Sequence, residues 1–379
     1  MAQADQSGTT NFGPFARPSV ALAQRGRSGM EFLGSLQKYV AGTVRGRARA
    51  EFAADPDGAA LAKTWADRSD QPWSERIATA RSIAERSKAY RYERLIQRYV
   101  AEEVYIRSVP AAELRRAEAI AFDSQPVAPA GGTLELDPTI EVPAWLSRTE
   151  WHLMPGGWDG YDLMGIAGGS GIGPLVFRHG GYAAVEAGDN IAQQRIDVVR
   201  SFPKKSYARI YEPGCGGAGT MSCVHQVFPD AELVASDLSP YLLKKGHALA
   251  ERLGIPVHFK QRDCRETREP ADSFDGVIMY ALQHEMPVDA CVDSFREAFR
   301  ILKPGGDLVM NDPPPFSAVD PLQAVVLDWD TRNRGEPFFT ATREIDWPDV
   351  LRDIGFVDVA GFSLGKFGYP YVVRGSKPA

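Results

Sequence analysis

The run YARIYEPGCGGAG, Tyr207 to Gly219, constrains this chain more than any other stretch. Tyr207 to Tyr211 reads as a buried strand. The chain then breaks sharply through Glu212-Pro213-Gly214-Cys215-Gly216-Gly217-Ala218-Gly219, and the apolar run Met221 to Phe228 reads as a helix. Glycines at 214, 216 and 219 permit positive φ and let a bound molecule come close to main-chain amides where a Cβ would collide. A strand, a glycine turn and a helix built this way predict a ligand site at the turn, with Gly214, Cys215, Gly216 and Gly219 around it.

The glycine spacing also fits the GxGxxG fingerprint of dinucleotide sites. Glu212 argues against that reading. A dinucleotide-binding strand carries an apolar residue two positions before the first glycine, because a carboxylate there repels the pyrophosphate. S-adenosylmethionine has no phosphate and carries a sulfonium and an ammonium group. A carboxylate at the turn attracts such a ligand, and the cationic partner offsets its partial desolvation.

At 379 residues the chain exceeds one ordinary domain, so two are expected. A hydrophobic fraction of 44% with 24% charged residues indicates a soluble globular protein. The net charge of -6 gives no general attraction to nucleic acid or to an anionic membrane, which points to a small-molecule acceptor. The N-terminal residues lack a basic start followed by an apolar core, and no run of about 18 apolar residues occurs, so a cytoplasmic location without membrane insertion is expected. Cys215, Cys223, Cys264 and Cys291 lie far apart, with no CxxC and no Cys/His cluster at ligand spacing. They read as reduced thiols, and no metal is expected.

The chain divides by composition into four parts. Residues 1–28 are Gly-, Ser- and Gln-rich and read as a disordered or loosely attached arm. Residues 29–140 read as a helical N-terminal domain, for which the family resemblance described below implies a pocket cap or a homodimer. Within it Arg45, Arg47 and Arg49 read as a solvated helix face, and Tyr92, Leu95, Ile96, Tyr99 and Val100 fall at the spacing of a buried face. Pro126 to Pro138 reads as a linker. Residues 141–199 form a Gly- and aromatic-rich connecting lid, in which Trp151, His152, Trp158, Asp159, Tyr161, Asp162 and His179 either line a pocket for a flat substrate or anchor the connection. Residues 200–379 are the cofactor-binding domain.

After Glu212, strands and helices alternate as a parallel sheet requires. Glu232 to Ser236 is a strand ending at Asp237, and Ser239 and Pro240 open the next helix. Asp237, with Leu238 beside it, lies where an acid at a strand tip accepts ribose hydroxyls. Asp263 and Cys264 end the next strand, where a carboxylate can accept from an adenine amine. Phe274 to Tyr280 is a central strand, and Lys303-Pro304-Gly305-Gly306 turns into another, Asp307 to Asn311.

Taken together, YEPGCGGAG, VASDLSP, RDC, SFDGVIMY and REAFRILKPGGDLVMND closely resemble the class I S-adenosylmethionine-dependent methyltransferases over about residues 200 to 379. The resemblance implies an α/β, Rossmann-like sheet of seven strands with the last inserted antiparallel, and a cofactor at the carboxyl ends of its first three. Ala218 departs from the family's third alternate glycine. Ala281 to Pro287, reading ALQHEMP, looks like the segment where small-molecule O-methyltransferases carry a proton-accepting histidine. The carried-over position is His284, for which a pKa near neutrality suits the task. Glu285 either orients that ring or faces water, and Tyr280 contacts the cofactor. Asn311-Asp312-Pro313-Pro314-Pro315-Phe316 is similar to the signature of amino-methylating nucleic-acid enzymes, yet it follows the fifth strand instead of the fourth, which argues for a loop. The implied reaction is methyl transfer to an oxygen of an aromatic or polycyclic metabolite of secondary metabolism. The alternatives are an N- or C-methyltransferase, a silent cofactor-binding protein, and a nicotinamide oxidoreductase.

Overall fold

The buried apolar runs after Tyr207 pair into one sheet in the computed structural model, which describes residues 20–67, 70–159, 161–180, 191–365 and 367–379. Most of the expected N-terminal arm, residues 181–190 of the connecting lid and the side chain of Asp159 lie outside the described residues. The strands are β1 (Thr133–Glu135), β2 (Arg209–Pro213), β3 (Glu232–Asp237), β4 (Val257–Gln261), β5 (Phe274–Tyr280), β6 (Leu302–Asp312), β7 (Val357–Ser363) and β8 (Tyr371–Ser376). Their order is β1-β4-β3-β2-β5-β6-β8-β7. Pairing is parallel from β1 to β6, while β8 lies antiparallel between β6 and β7, as the resemblance implied. The order reverses at β2, and a crevice opens beyond the carboxyl ends of β2 and β5 at such a switch point.

The sheet has eight strands where seven were expected. The extra one, β1, comes from the stretch read as a linker and pairs with β4, with Thr133 opposite His258 and Glu135 opposite Lys260. Thr133 Oγ1 lies 3.0 Å from His258 Nδ1, and Glu135 pairs with Arg262, so side chains reinforce the short ladder. Three residues between prolines and glycines leave no alternation to read.

Helices cover both faces. The helix Pro240–Leu253 starts where Ser239 accepts from the Leu242 amide and stops at Gly254, whose φ is +70°. In the helix Val288–Ile301, Cys291, Phe295, Ala298 and Ile301 fall on one stripe and are buried against β5 and β6.

The N-terminal helices Gln24–Tyr39, Arg45–Ala54, Pro56–Thr64, Trp73–Ala84, Lys88–Glu113 and Arg116–Asp123 correct two sequence expectations. In Lys88–Glu113 the buried face holds Tyr90, Glu93, Arg94, Val100 and Val104, whereas Tyr92 and Leu95 are 62% and 65% exposed. The cause is a buried ion pair: Arg45 lies 2.9 Å from Glu93, and Arg94 pairs with the same carboxylate, so charged residues occupy the inner face. Arg45 is therefore buried and not solvated. Arg49 donates to Gln323 Oε1 at 2.8 Å and stacks on Phe367, which leaves Arg47 as the exposed member of the trio. Ile77, Ala80 and Ala84 of Trp73–Ala84 pack with Leu322 and Val326 of Pro321–Asn333 and so join the N-terminal helices to the sheet-bearing half. Among the described residues, no helix is long and apolar enough to cross a membrane.

Candidate active site

A cavity of about 1040 Å³ opens at the carboxyl ends of β2, β3 and β5. It lies at the top of the range of roughly 300–1,000 Å³ usual for ligand pockets, which leaves room for two molecules side by side. The glycine turn and the tips of β3 and β5 form one wall. The opposite wall is apolar: Leu163, Ile166, Ile172 and Phe177 from the Gly-rich segment, with Tyr105 and Phe122 from the helices before it.

At the turn, Gly214 adopts φ +64°, and a Cβ there would stand 2.4 Å from Leu282 Cδ1. Gly216 adopts φ +53° and faces open space, so its main chain is accessible from the cavity. Ala218, the departure from the expected glycine, takes φ 61° and ψ 28° directly before the helix Gly219–Val227. The turn thus keeps the left-handed step without the glycine.

Glu212 lines the cavity at 1% exposure, and its Oε2 has no hydrogen-bond partner. Burial pushes its pKa up to about 8, against the opposing pull of the Thr220 hydroxyl and the Arg195 charge. Asp237 accepts from the Gly216 amide and the Ser239 amide, both at 2.8 Å, so it braces the turn as well as facing the cavity. Leu238, Cys264 and Tyr280 line the same end. Asp263 is also there, with Arg265 clamped on both of its oxygens. Sequence reasoning missed Arg195. It comes from the helix Ile191–Val199, lies over the Tyr280 ring at 5.0 Å and sits 2.9 Å from where a Cβ on Gly219 would be.

The other end is built from four buried ionisable side chains and their supports. His284, on the turn after β5, has its Nδ1 2.6 Å from Asp312 Oδ1 at the end of β6, and Arg343 pairs with the far side of Asp312. Glu285 Oε1 lies 2.9 Å from His152 Nε2 and 3.5 Å from His284 Nε2. The Trp158 indole donates to Glu285 Oε2 at 3.2 Å. His152 Nδ1 stands 2.7 Å from Glu336 Oε1.

Burial disfavours the charged His284 ring, but the charges and hydrogen bonds of Asp312 and Glu285 outweigh it and hold its pKa up at about 10. The near-neutral value expected from sequence is not met. For His152, burial is likewise outweighed by Glu336 and Glu285, which keep the ring well above the ordinary histidine value. Burial works against the charged form of Glu285, yet its two histidine neighbours hold it below the usual carboxylate range; burial raises Glu336.

Of the expected acceptor-side residues, His152, Trp158 and Asp162 line the cavity. Trp151 does not: it is fully buried, donates to the Leu146 carbonyl at 3.1 Å and packs on Phe338. Tyr161 is turned towards the helix Lys88–Glu113, where its hydroxyl meets Glu113 Oε1 at 2.9 Å. His179 sits beside the helix Gln24–Tyr39, 3.4 Å from where a Cβ on Gly34 would be. These three are anchors, the bland alternative for the segment. Glu336 and Asp312 gave no sequence signal for this site.

Residues 210–306, from β2 into β6, match the family described as methyltransferase domain. This part of the chain is a methyltransferase domain. S-adenosylmethionine is the cofactor of such a domain, and the site fits it: the partnerless buried oxygen of Glu212 calls for a cation, and the space beside Gly216, where a Cβ would meet nothing, leaves room for a ligand against the turn. Outside the domain family, the chain is 30% identical over 104 residues to sterol 24-C-methyltransferase of Aspergillus fumigatus, covering 27% of each chain. It is 24% identical over 163 residues to phosphoethanolamine N-methyltransferase 1 of Arabidopsis thaliana, covering 43% of this chain and 31% of that one. The chain thus spans between about a quarter and a half of the length of the curated relatives it matches. Among solved structures, an O-methyltransferase family protein from Burkholderia thailandensis overlays with a TM-score of 0.41 at 19% identity, over 50% of this chain and 57% of that one.

Proposed function

We propose that the protein transfers a methyl group from S-adenosylmethionine to an oxygen of a bulky, largely apolar small molecule, aromatic or polycyclic in character. The observation that carries this reading is a single cavity with Glu212 and Asp237 at one end and the buried His284–Glu285–His152–Glu336 cluster at the other. Bound there, the cofactor would supply an electrophilic methyl group and leave as its thioether, with the acceptor's hydroxyl proton passing to His284 in its neutral form. Glu212 and Arg195 are suited to the amino and carboxylate groups of the cofactor, and Asp237 to its ribose hydroxyls. The apolar wall of Leu163, Ile166, Ile172 and Phe177 holds the body of the acceptor and keeps water from its reacting group. His284, pinned through Nδ1 by Asp312, is assigned to activation of the acceptor hydroxyl.

Incubation with methyl-labelled cofactor and hydroxylated aromatic compounds, read by mass spectrometry, tests the proposal. A product heavier by one methyl on oxygen supports it. Label on nitrogen or carbon overturns the oxygen assignment, and micromolar NAD(P)H binding without S-adenosylmethionine binding overturns the whole reading.

A further inference from the structure

In the buried cluster at the acceptor end of the cavity, Glu336 has an atom left over. Its Oε1 stands 2.7 Å from His152 Nδ1, while its Oε2 has no hydrogen-bond partner, although Glu336 is 1% exposed and lines the cavity. The neighbouring carboxylates are committed. Asp312 meets His284 and Arg343 with its two oxygens, and Glu285 meets His152 and His284 with one oxygen and the Trp158 indole with the other. A buried carboxylate oxygen without a partner is costly and calls for one.

The backbone around Glu336 is held in place. Glu336 lies in the loop between the helices Pro321–Asn333 and Phe339–Arg343, and the Gly335 carbonyl before it accepts from the His152 amide at 3.2 Å. A Cβ on Gly335 would stand 2.5 Å from the Glu150 carbonyl oxygen, so the loop and the His152 turn touch backbone to backbone. On that turn His152 and Leu153 both take left-handed backbone, with φ of 56° and 60°, which residues other than glycine adopt at a cost. Such a conformation persists where its surroundings over-determine it, and here it sets the His152 ring between Glu336 and Glu285.

Charge selects the partner. His152 and His284, both held above the ordinary histidine value, and Arg343 already face three carboxylates, Glu336, Glu285 and Asp312. A further ion would unbalance the cluster, whereas a hydroxyl adds no charge. A hydroxyl also serves Glu336 in either protonation state, because it donates to the carboxylate and accepts from the acid that burial favours. The need is mutual, since a ligand hydroxyl that leaves water for a cavity walled by Leu163, Ile166, Ile172 and Phe177 loses its hydration. His284 and Glu336 are carried by different elements, and the contacts between them run through Glu285 and His152, which makes them separate polar stations on the wall.

We propose that Glu336 Oε2 hydrogen-bonds a hydroxyl of the acceptor other than the one that is methylated, so that the site selects aromatic or polycyclic diols over their monohydroxyl counterparts. The role of the methylated hydroxyl rests on the methyl-transfer reading, whereas the bond to Glu336 does not.

The test is calorimetry on the protein, with and without S-adenosylhomocysteine, titrated with the isomeric dihydroxynaphthalenes and with the naphthols. At least one diol should bind about 100-fold more tightly than its parent naphthol. That advantage should fall below about 3-fold in Glu336→Leu and to about 10-fold in Glu336→Gln, whose amide still bonds a hydroxyl. Naphthol affinity equal to that of the native protein shows that a variant is folded. The proposal is overturned by the lack of a diol advantage in the native protein, whether all compounds bind alike or none binds more tightly than about 1 mM. An advantage that survives in folded Glu336→Leu overturns it as well, and if that variant does not fold, a full advantage in Glu336→Gln does so. A Glu336-dependent preference for diols without methyl transfer upholds Glu336 and sinks only the functional reading; methyl transfer to diols and naphthols with equal kcat/KM sinks only Glu336.

Discussion

Asp312 Oδ1 lies 2.6 Å from His284 Nδ1, so the last residue of β6 aims a ring carried by the turn after β5. Adjacent parallel strands place the two groups side by side, 28 residues apart in sequence, with β5 Tyr280 in register with β6 Asn311. The consequence concerns which step of the reaction the ring serves. His284→Ala should lower turnover about 100-fold with cofactor affinity unchanged, since activation of the acceptor is expressed in the transition state. Steady-state kinetics beside calorimetry decides it, and full activity in the variant removes His284 from the chemistry.

Asp237→Ala should weaken cofactor binding by about 1–3 kcal/mol, through loss of a charged acceptor. Because Asp237 also holds the Gly216 and Ser239 amides, the variant should lose order in the turn as well. Faster hydrogen exchange at those two amides would register the second effect, and an unchanged Kd would rule out the first.

Glu212 offers a pH test. Its folded pKa of about 8 stands above the ordinary carboxylate value, so its contribution to stability is complete below about pH 4.5 and is lost as pH rises through about 8. The cofactor-free Glu212→Gln protein should lack this decline and be the more stable of the two above pH 8, by about 3–5 kcal/mol. Cofactor affinity should run the other way, tightening in the native protein as the carboxylate ionises and staying weak and flat in Glu212→Gln. Parallel pH profiles for the two proteins would show that the Glu212 charge does not meet the ligand.

Removing one partner from the inner ion pair of the N-terminal helices should be costly. Arg45 and Glu93 are both almost inaccessible, and Glu93→Ala leaves two guanidinium groups there without their carboxylate. A loss of about 3–5 kcal/mol is expected, read by denaturant unfolding, whereas Tyr92→Ser on the exposed face should change stability by less than about 0.5 kcal/mol.

Strands β2 to β6 and the cofactor end were legible because each rests on a local pattern: a buried run, a glycine turn, an acid at a strand tip. His284 and its pairing with Glu285 were also readable, being consecutive residues after β5. The rest depends on distant residues with no pattern of their own. Glu336 and Arg195 reach the cavity from a loop and from the helix Ile191–Val199, each signalled only by an ordinary charge, while Asp312 stands behind His284 at the end of β6, in a motif that read as a loop. Apolar spacing misplaced the inner face of Lys88–Glu113 because Glu93 and Arg94 are buried as partners and not as apolar residues. The aromatic segment was ambiguous by nature: Trp151 and Trp158 are seven residues apart, yet one anchors the connection and the other holds Glu285.

The three residues of β1 give the segment before the methyltransferase domain a duty unrelated to its ligand. A fragment beginning at residue 200 would keep Glu212, Asp237 and Asp263 and lose Arg195, and its β4 would become the outermost strand, with the backbone groups now met by Thr133 to Glu135 left unmet. Val257 and Phe259 would stand on that bare edge, ready to pair with the same edge of another molecule. In the full chain β1 covers that edge, so the segment before the methyltransferase domain completes the sheet on the β4 side.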